Sequence, residues 1–279
     1  MKTVLITSGG TEIQIDPVRH FVNWWPEEEC DPIGLKNMSH GTFGSMIATE
    51  FLKYGQRVIF LCAKHSKRPY IVPFDARRCM SEHDYWFNFE TDRFHVCKLF
   101  RQFGENYAEI EYDTFDDYAK KLELILKEGT VTRGKTGVFR ESWKPDIAVL
   151  AAAASDYGVA EHTEKIRSGN ALQIQMFPLP KLIGSVKEWC PDITLVGFKL
   201  LVKAELLELI AAARKSIETN KCDVVVANDL ASIRADNHTI HFVLPNGNVA
   251  TWTSQGQDRT YLARKVVDIT LVRDDLRRS

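Results

Sequence analysis

The chain has 279 residues and little of what marks several common protein classes. Charge of one sign is missing: 36 Lys plus Arg against 37 Asp plus Glu leave a formal net charge of -1. A general nucleic-acid binder carries a strong basic surplus, so that class is excluded, and any anionic ligand must be met by a local group of cations. Long hydrophobic runs are missing too. The longest, Ile147 to Ala154, falls far short of the roughly 18 apolar residues of a membrane span. The opening MKTVLITSGG runs from one lysine through a short apolar stretch into glycines, which reads as a first strand and not as a signal peptide. The six cysteines (Cys30, Cys62, Cys79, Cys97, Cys190, Cys222) contain no CxxC pair, so neither a zinc ligand set nor a compact disulfide framework is expected. No HExxH spacing links the histidines, which disfavours metallohydrolase chemistry, and no GxSxG elbow occurs.

What the chain does have is an alternation of apolar strands and amphipathic helices. Thr3 to Thr7 is a β-branched run that stops in Ser8-Gly9-Gly10. Arg57 to Ala63, Asp146 to Ala153 and Cys222 to Ala227 are further buried strands. Helices are expected at Ser39 to Gly55, Phe115 to Lys127, Lys181 to Trp189, Lys203 to Asn220 and Arg259 to Arg273. Ile240 to Thr253 alternates and turns at Pro245-Asn246-Gly247, a hairpin near the C-terminus. Continuous apolar strands between helices predict an α/β fold of three layers, Rossmann-like, with a mostly parallel central sheet covered on both faces. Nothing divides the chain into two domains. His65 to Asn106 is long and aromatic with weak periodicity, and the polar stretch at 129–144 is expected to be a mobile surface loop.

Five places can carry chemistry. Ser8-Gly9-Gly10-Thr11 ends the first strand, where open parallel sheets bind ligands. Its glycines serve equally as an ordinary turn or as an anion cradle. Ser39-His40-Gly41-Thr42-Phe43-Gly44 opens a helix, with Ser39 as a cap and Gly41 and Gly44 leaving room for a phosphate. Ala151 to Tyr157 puts small residues, then Asp156, at a strand end, followed by a polar segment containing Lys165. Gly197-Phe198-Lys199 and Ala227-Asn228-Asp229 end two more strands, with an aromatic that can stack on a base and an amide that can pair with one.

Read in order, VLITSGGTEIQIDPVR, NMSHGTFGSMIATEFLKYGQRVIFL, RPY, AAAASDY, EKIRSG, LQIQM, PLPKLIGSVKEWCPDITLVGFKL and VVVANDL resemble the phosphopantothenoylcysteine synthetase family of coenzyme A biosynthesis. The resemblance covers nearly the whole chain. It implies a single cytoplasmic domain over 1–279 with insertions at 23–36 and 65–106, working as a monofunctional homodimer. It further implies magnesium with ATP or CTP as co-substrate. IFLCAKHSKRPY, LPKLIGSVKEWCP and GFKL look like the eukaryotic-type branch, which tends to use ATP; DPVR and ANDL also resemble bacterial members, which favour CTP. The implied reaction has two steps: the carboxylate of 4'-phosphopantothenate attacks the nucleotide α-phosphate, and the amine of cysteine then attacks the acyl-nucleotidylate.

The resemblance also implies roles. Gly9, Gly10 and Thr11 match one glycine loop and Ser39, Gly41 and Gly44 a second. Asn37 matches the asparagine that handles the activated acyl group, and Lys165 the lysine of a flap over the phosphates. Asp156, Lys181, Phe198, Lys215, Lys221 and Asn228 match nucleotide-side positions, while Arg19, Ala152 and Ala153 match the substrate side. Two departures stand out. Asn23 has the expected distance from Arg19 but Asn37 has the expected following residues, so Asn37 is the assignment. Leu201 and Val202 stand where eukaryotic-type members carry an acidic residue after FKL. The competing readings are an NAD(P)-dependent short-chain reductase, whose Tyr-xxx-Lys pair is absent at Tyr118 and Tyr157, and a turnover-deficient member acting as an interaction protein.

Overall fold

The computed structural model describes residues 1–15, 20–21, 39–69, 85–88, 93–96, 106–129, 143–160, 165, 169, 173–234, 237–254 and 259–278. Its centre is an eight-stranded sheet of β1 (Thr3–Ser8), β2 (Arg57–Ala63), β3 (Tyr107–Tyr112), β4 (Ile147–Leu150), β5 (Thr194–Leu201), β6 (Val224–Asp229), β7 (Thr239–Val243) and β8 (Val249–Thr253). The spatial order is β8-β7-β6-β5-β4-β1-β2-β3. Strands β1 to β6 pair in parallel, and β7 and β8 extend the sheet as an antiparallel hairpin. From β3 to β6 this is the doubly wound order, in which the chain reverses direction of travel between β1 and β4.

The apolar runs are continuous because both faces are covered. All six residues of β1 are buried, and they divide by the strand's period of two. Leu5 faces one core with Ile59, Leu122, Ala148, Leu195 and Leu209. Val4 and Ile6 face another, with Phe51, Phe60, Val149, Val226 and Val266. Each large side chain in these cores contributes on the order of 2 kcal/mol by leaving water. The first core is closed by α2 (Phe115–Glu128), the short α3 (Val186–Trp189) and α4 (Leu206–Asn220), the second by α1 (Thr42–Lys53) and α6 (Thr260–Arg278). A short helix, α5 (Leu230–Arg234), follows β6 directly.

Local chemistry sets the ends of these elements. Thr114 caps α2 by accepting from the Asp117 N–H, Asp116 and Asp117 complement the positive end, and Gly129 closes it at φ 63°. The expected helix at Lys181 to Trp189 is a 3-10 turn at Leu182–Ser185 leading into α3. Strand β3 was not expected. Its Glu109 and Glu111 interrupt the hydrophobic pattern, yet both pair with Arg68, which is 8% exposed. The expected insertion at 23–36 lies outside the described residues, as does nearly all of the loop at 129–144. Of 65–106, the described part includes an antiparallel pair, Tyr85–Asn88 with Arg93–Val96.

Candidate active site

Ligands of doubly wound sheets bind outside the carboxyl ends of the strands where the order reverses. Here that place is built by the loops after β1 and β4, which are stitched together. Gly10 bridges Ala153, and the Ala153 N–H donates to the Gly9 carbonyl at 2.8 Å. Thr7 Oγ1 accepts from the Ala152 N–H at 3.1 Å and Thr11 Oγ1 from the Ser155 N–H at 2.9 Å. From behind, the buried Tyr112 hydroxyl donates to the Ser8 carbonyl at 2.8 Å.

The amino end of α1 lies against this floor. Gly41 is its N-cap at φ 69°, a left-handed conformation that suits glycine. Ser8 Oγ donates to the Gly41 carbonyl at 3.0 Å, and a Cβ on Gly44 would stand 2.5 Å from the same oxygen. Ser39 was expected to cap α1 and does not: Gly41 takes that position, and no side chain caps the helix. The first-turn N–H groups have no acceptor within the helix, and its first turn carries no acidic residue. An electropositive end is therefore left open beside the Gly9–Thr11 loop, an arrangement suited to phosphate.

The rim is polar on one side and aromatic on the other. Asp156 and Lys181 form an exposed ion pair. After Asp156 the chain forms a small antiparallel ladder, Tyr157–Val159 with Met176–Pro178, and Lys165 is exposed in the connection between its strands. Ile13 and Ile15 pack under this ladder with Val159. Across the crevice, Phe198 meets Phe43 of α1 edge-on at 6.2 Å, and Phe43 meets His238 at 5.6 Å. The Asn228 amide nitrogen is 3.3 Å from His238 Nε2. Burial, with Arg259 nearby, holds the His238 imidazole down at about 4, so it is neutral at physiological pH. Asp229 accepts from the Ala204 and Ala231 N–H groups, and these bonds, Ala204's first, hold its carboxyl below the ordinary range. It thereby ties the start of α4 to the end of β6.

Comparison with known proteins assigns this architecture. Residues 135–272 match the DNA/pantothenate metabolism flavoprotein C-terminal domain family. A coenzyme A biosynthesis bifunctional protein CoaBC of Thermococcus kodakarensis is 32% identical over 243 residues, covering 87% of this chain and 45% of that protein. A phosphopantothenate–cysteine ligase of Mus musculus is 30% identical over 255 residues, covering 84% of this chain and 74% of the mouse protein. This chain belongs to the phosphopantothenate–cysteine ligase family. A solved Cab2 mutant in complex with phosphopantothenate-cysteine shares the fold at a TM-score of 0.71 and 23% identity, over 99% of this chain and 87% of that one. The chain spans less than half of the bifunctional relative.

Within the ligase family fold, most of the sequence-predicted residues converge. Gly9, Gly10, Thr11, Gly41, Gly44, Ala152, Ala153 and Asp156 form or border the crevice, with Lys181 paired to Asp156 at its rim, Phe198 in the carboxyl half of β5 and Asn228 near the end of β6, while Lys165 is exposed in the connection of the small ladder. Arg19, Asn23 and Asn37 lie outside the described residues. Lys215 and Lys221 lie away from this crevice. Helix α4 runs back from the strand ends, so Lys221 sits in the turn before β6, roughly 20 Å along the strand from Asn228. Lys215 instead lines an outer groove with Leu207, His241 and Val249.

Sequence reasoning missed Phe43, His238 and Arg68. Arg68 donates to the carbonyls of Ala63, Lys64 and Ser66, fixing the loop whose Ser66 Cβ presses on Gly9 and Gly41. The RPY string marked that position without indicating a role.

Proposed function

We propose that this chain joins phosphopantothenate to cysteine at the expense of a nucleoside triphosphate, within coenzyme A biosynthesis. The observation that carries the reading is the crevice itself: the loops after β1 and β4 are hydrogen-bonded together and face the uncapped end of α1. A carboxylate and a triphosphate repel one another, and a carboxylate is a poor electrophile until its oxygen becomes a good leaving group. Fixed N–H donors and rim cations answer both needs by stabilising charge as it develops at phosphorus. In this reading the nucleotide phosphates rest on the first turn of α1 and the Gly9–Thr11 loop. Lys165 and Lys181 approach them from the rim, while Phe198 and Asn228 lie on the base side. Asn37 donates to the acyl oxygen of the nucleotidylate, which becomes an oxyanion as the amine of cysteine adds and reverts to a carbonyl as the nucleoside monophosphate leaves, a task that suits an amide because it does not titrate.

A magnesium ion fits as a companion of the nucleotide, since phosphate oxygens and water supply most of its ligands and the carboxylate of Asp156 stands at the rim. Its chemistry there is neutralisation of phosphate charge. We further read the working form as a homodimer.

The test is turnover by purified protein given phosphopantothenate, cysteine, magnesium and either ATP or CTP, with product followed by mass spectrometry and pyrophosphate by a coupled assay. Amide product with one pyrophosphate per turnover is expected. Pyrophosphate release that does not depend on phosphopantothenate, or no product with either nucleotide, would falsify the reading and favour a member that binds without turning over.

A further inference from the structure

We propose that His238 is a positioning residue of the nucleotide subsite, its imidazole locking the side-chain amide of Asn228 in one orientation. This rests on reading Asn228 as a nucleotide-side group. His238 is 2% exposed and Asn228 8%, so both polar side chains have been withdrawn from water. Among the described residues they are each other's side-chain hydrogen-bond partners, at 3.3 Å.

The topology makes the pairing specific. Asn228 is at the carboxyl end of β6, on the same sheet face as Phe198, and His238 immediately precedes β7, which turns back antiparallel beside it. Phe43 packs edge-on against both Phe198 and His238, so the amide is placed beside the open end of α1.

The second nitrogen separates this residue from ordinary core filler. His238 Nδ1 is buried and has no hydrogen-bond partner among the described residues. An unpaired buried nitrogen is costly, and such groups concentrate where function retains them. With the Asn228 N–H donating to Nε2, the imidazole proton must sit on Nδ1, and the amide oxygen is left free to accept from a ligand. Were the amide turned over, Nε2–H would donate to it and Nδ1 would be bare. Tautomer and amide are therefore coupled, and burial beside Arg259 keeps the ring neutral so that the coupling holds. An unlocked Asn228 would present donor and acceptor to a base at random, weakening nucleotide binding without touching the reacting atoms.

A double-mutant cycle on the full chain tests this, using His238→Leu, His238→Gln, Asn228→Ala and the Leu/Ala double variant. His238→Leu is expected to raise nucleotide KM about tenfold, the scale of one hydrogen bond, with kcat within about twofold and cysteine KM unchanged. His238→Gln, whose amide can make the same bond, should recover most of the loss even where the leucine variant folds poorly. On the Asn228→Ala background, His238→Leu should add less than about twofold, because no amide remains to orient. An unchanged nucleotide KM in His238→Leu, multiplicative losses, or a glutamine variant as impaired as leucine would overturn the proposal. If wild type forms no amide product, the activity reading alone fails. The same cycle is then read by calorimetry with magnesium-ATP and magnesium-CTP, where absence of nucleotide binding or of coupling overturns the positioning role.

Discussion

Gly44→Ala sets intrinsic propensity against packing. Gly44 is in the first turn of α1 with ordinary helical backbone, so propensity alone predicts that alanine stabilises by about 1 kcal/mol. The structure predicts the reverse sign. The new Cβ would stand 2.5 Å from Ser8 Oγ and 2.8 Å from Ser8 Cβ, and Ser8 is fully buried in β1. Relieving that overlap costs on the order of 1–3 kcal/mol. It also disturbs the buried Ser8–Gly41 hydrogen bond, worth about 1 kcal/mol. The net expectation is a loss of about 2 kcal/mol, read as a lower midpoint in urea at unchanged slope. Ser8→Gly removes both offending atoms, so in that background the alanine should cost close to nothing. Because the displaced turn carries the open N–H groups, nucleotide KM should rise in the single variant. A Gly44→Ala protein more stable than wild type, or one with the same penalty in both backgrounds, would refute the close-approach argument.

Asp274→Asn should destabilise the fold by about 3 kcal/mol at neutral pH, because this fully buried carboxylate holds Lys2, Thr194 and Arg278. Burial pushes its carboxyl up, but the bonds from Lys2, Thr194 and Arg278 outweigh that and hold it below the ordinary carboxylate range. The stabilisation is thus present above the unfolded carboxyl's pKa and lost as pH falls through the lower folded one, so urea melts of variant and wild type should converge in acid. His238 has the corresponding base behaviour: with its folded value near 4 against 6.5 in the open chain, wild type should lose stability relative to His238→Gln as pH falls from about 6.5 to 4. Parallel curves for the two proteins across that window would show that the imidazole is not buried as described. Arg68→Lys keeps the charge but cannot reach Glu109, Glu111 and three carbonyls together, so it should cost about 2 kcal/mol and raise nucleotide KM through the Ser66 loop. Unchanged nucleotide KM in that variant would mean that the loop does not support the crevice.

Strands β1, β4 and β6 were legible because parallel strands covered on both faces must be apolar throughout, a pattern that survives without alignment. The hairpin of β7 and β8 was legible from Pro245-Asn246-Gly247, and α2 from its apolar period. Strand β3 was not, because an edge strand can carry Glu109 and Glu111 once a distant arginine neutralises them. The separation of Lys215 and Lys221 from Asn228 was not legible for a different reason. Nearness to Asn228 in sequence says nothing about distance when a helix reverses the direction of travel between them. The Asn228–His238 pair was unreadable because its ten-residue separation crosses α5 and a strand reversal, and isolated histidines follow no spacing rule.

The glycine loops show how one residue type supports two explanations. From sequence, Gly9, Gly41 and Gly44 read as places where a ligand could approach the backbone. In the structure each missing Cβ is already demanded by protein: Ala63 and Ser66 crowd Gly9, Ser8 and Ser66 crowd Gly41, and Ser8 crowds Gly44. The glycines therefore let α1 seat its amino end on the strand termini, whatever ligand the loops hold. In the proposed reading, phosphate binding uses what that seating leaves over: the backbone of the Gly9–Thr11 loop and a first turn with no side-chain cap and no acidic residue. It follows that enlarging Gly41 should harm the site by moving the helix, and that placing a carboxylate at Thr42 should harm it by occupying the positive end while leaving the packing intact. Thr42→Asp should accordingly weaken magnesium-nucleotide binding several-fold in calorimetry while stability stays level or rises by about 0.5 kcal/mol, since an acidic residue in the first turn complements the helix dipole. Equal nucleotide affinity in Thr42→Asp and wild type would separate the helix end from the phosphates and leave the glycines with a structural role only.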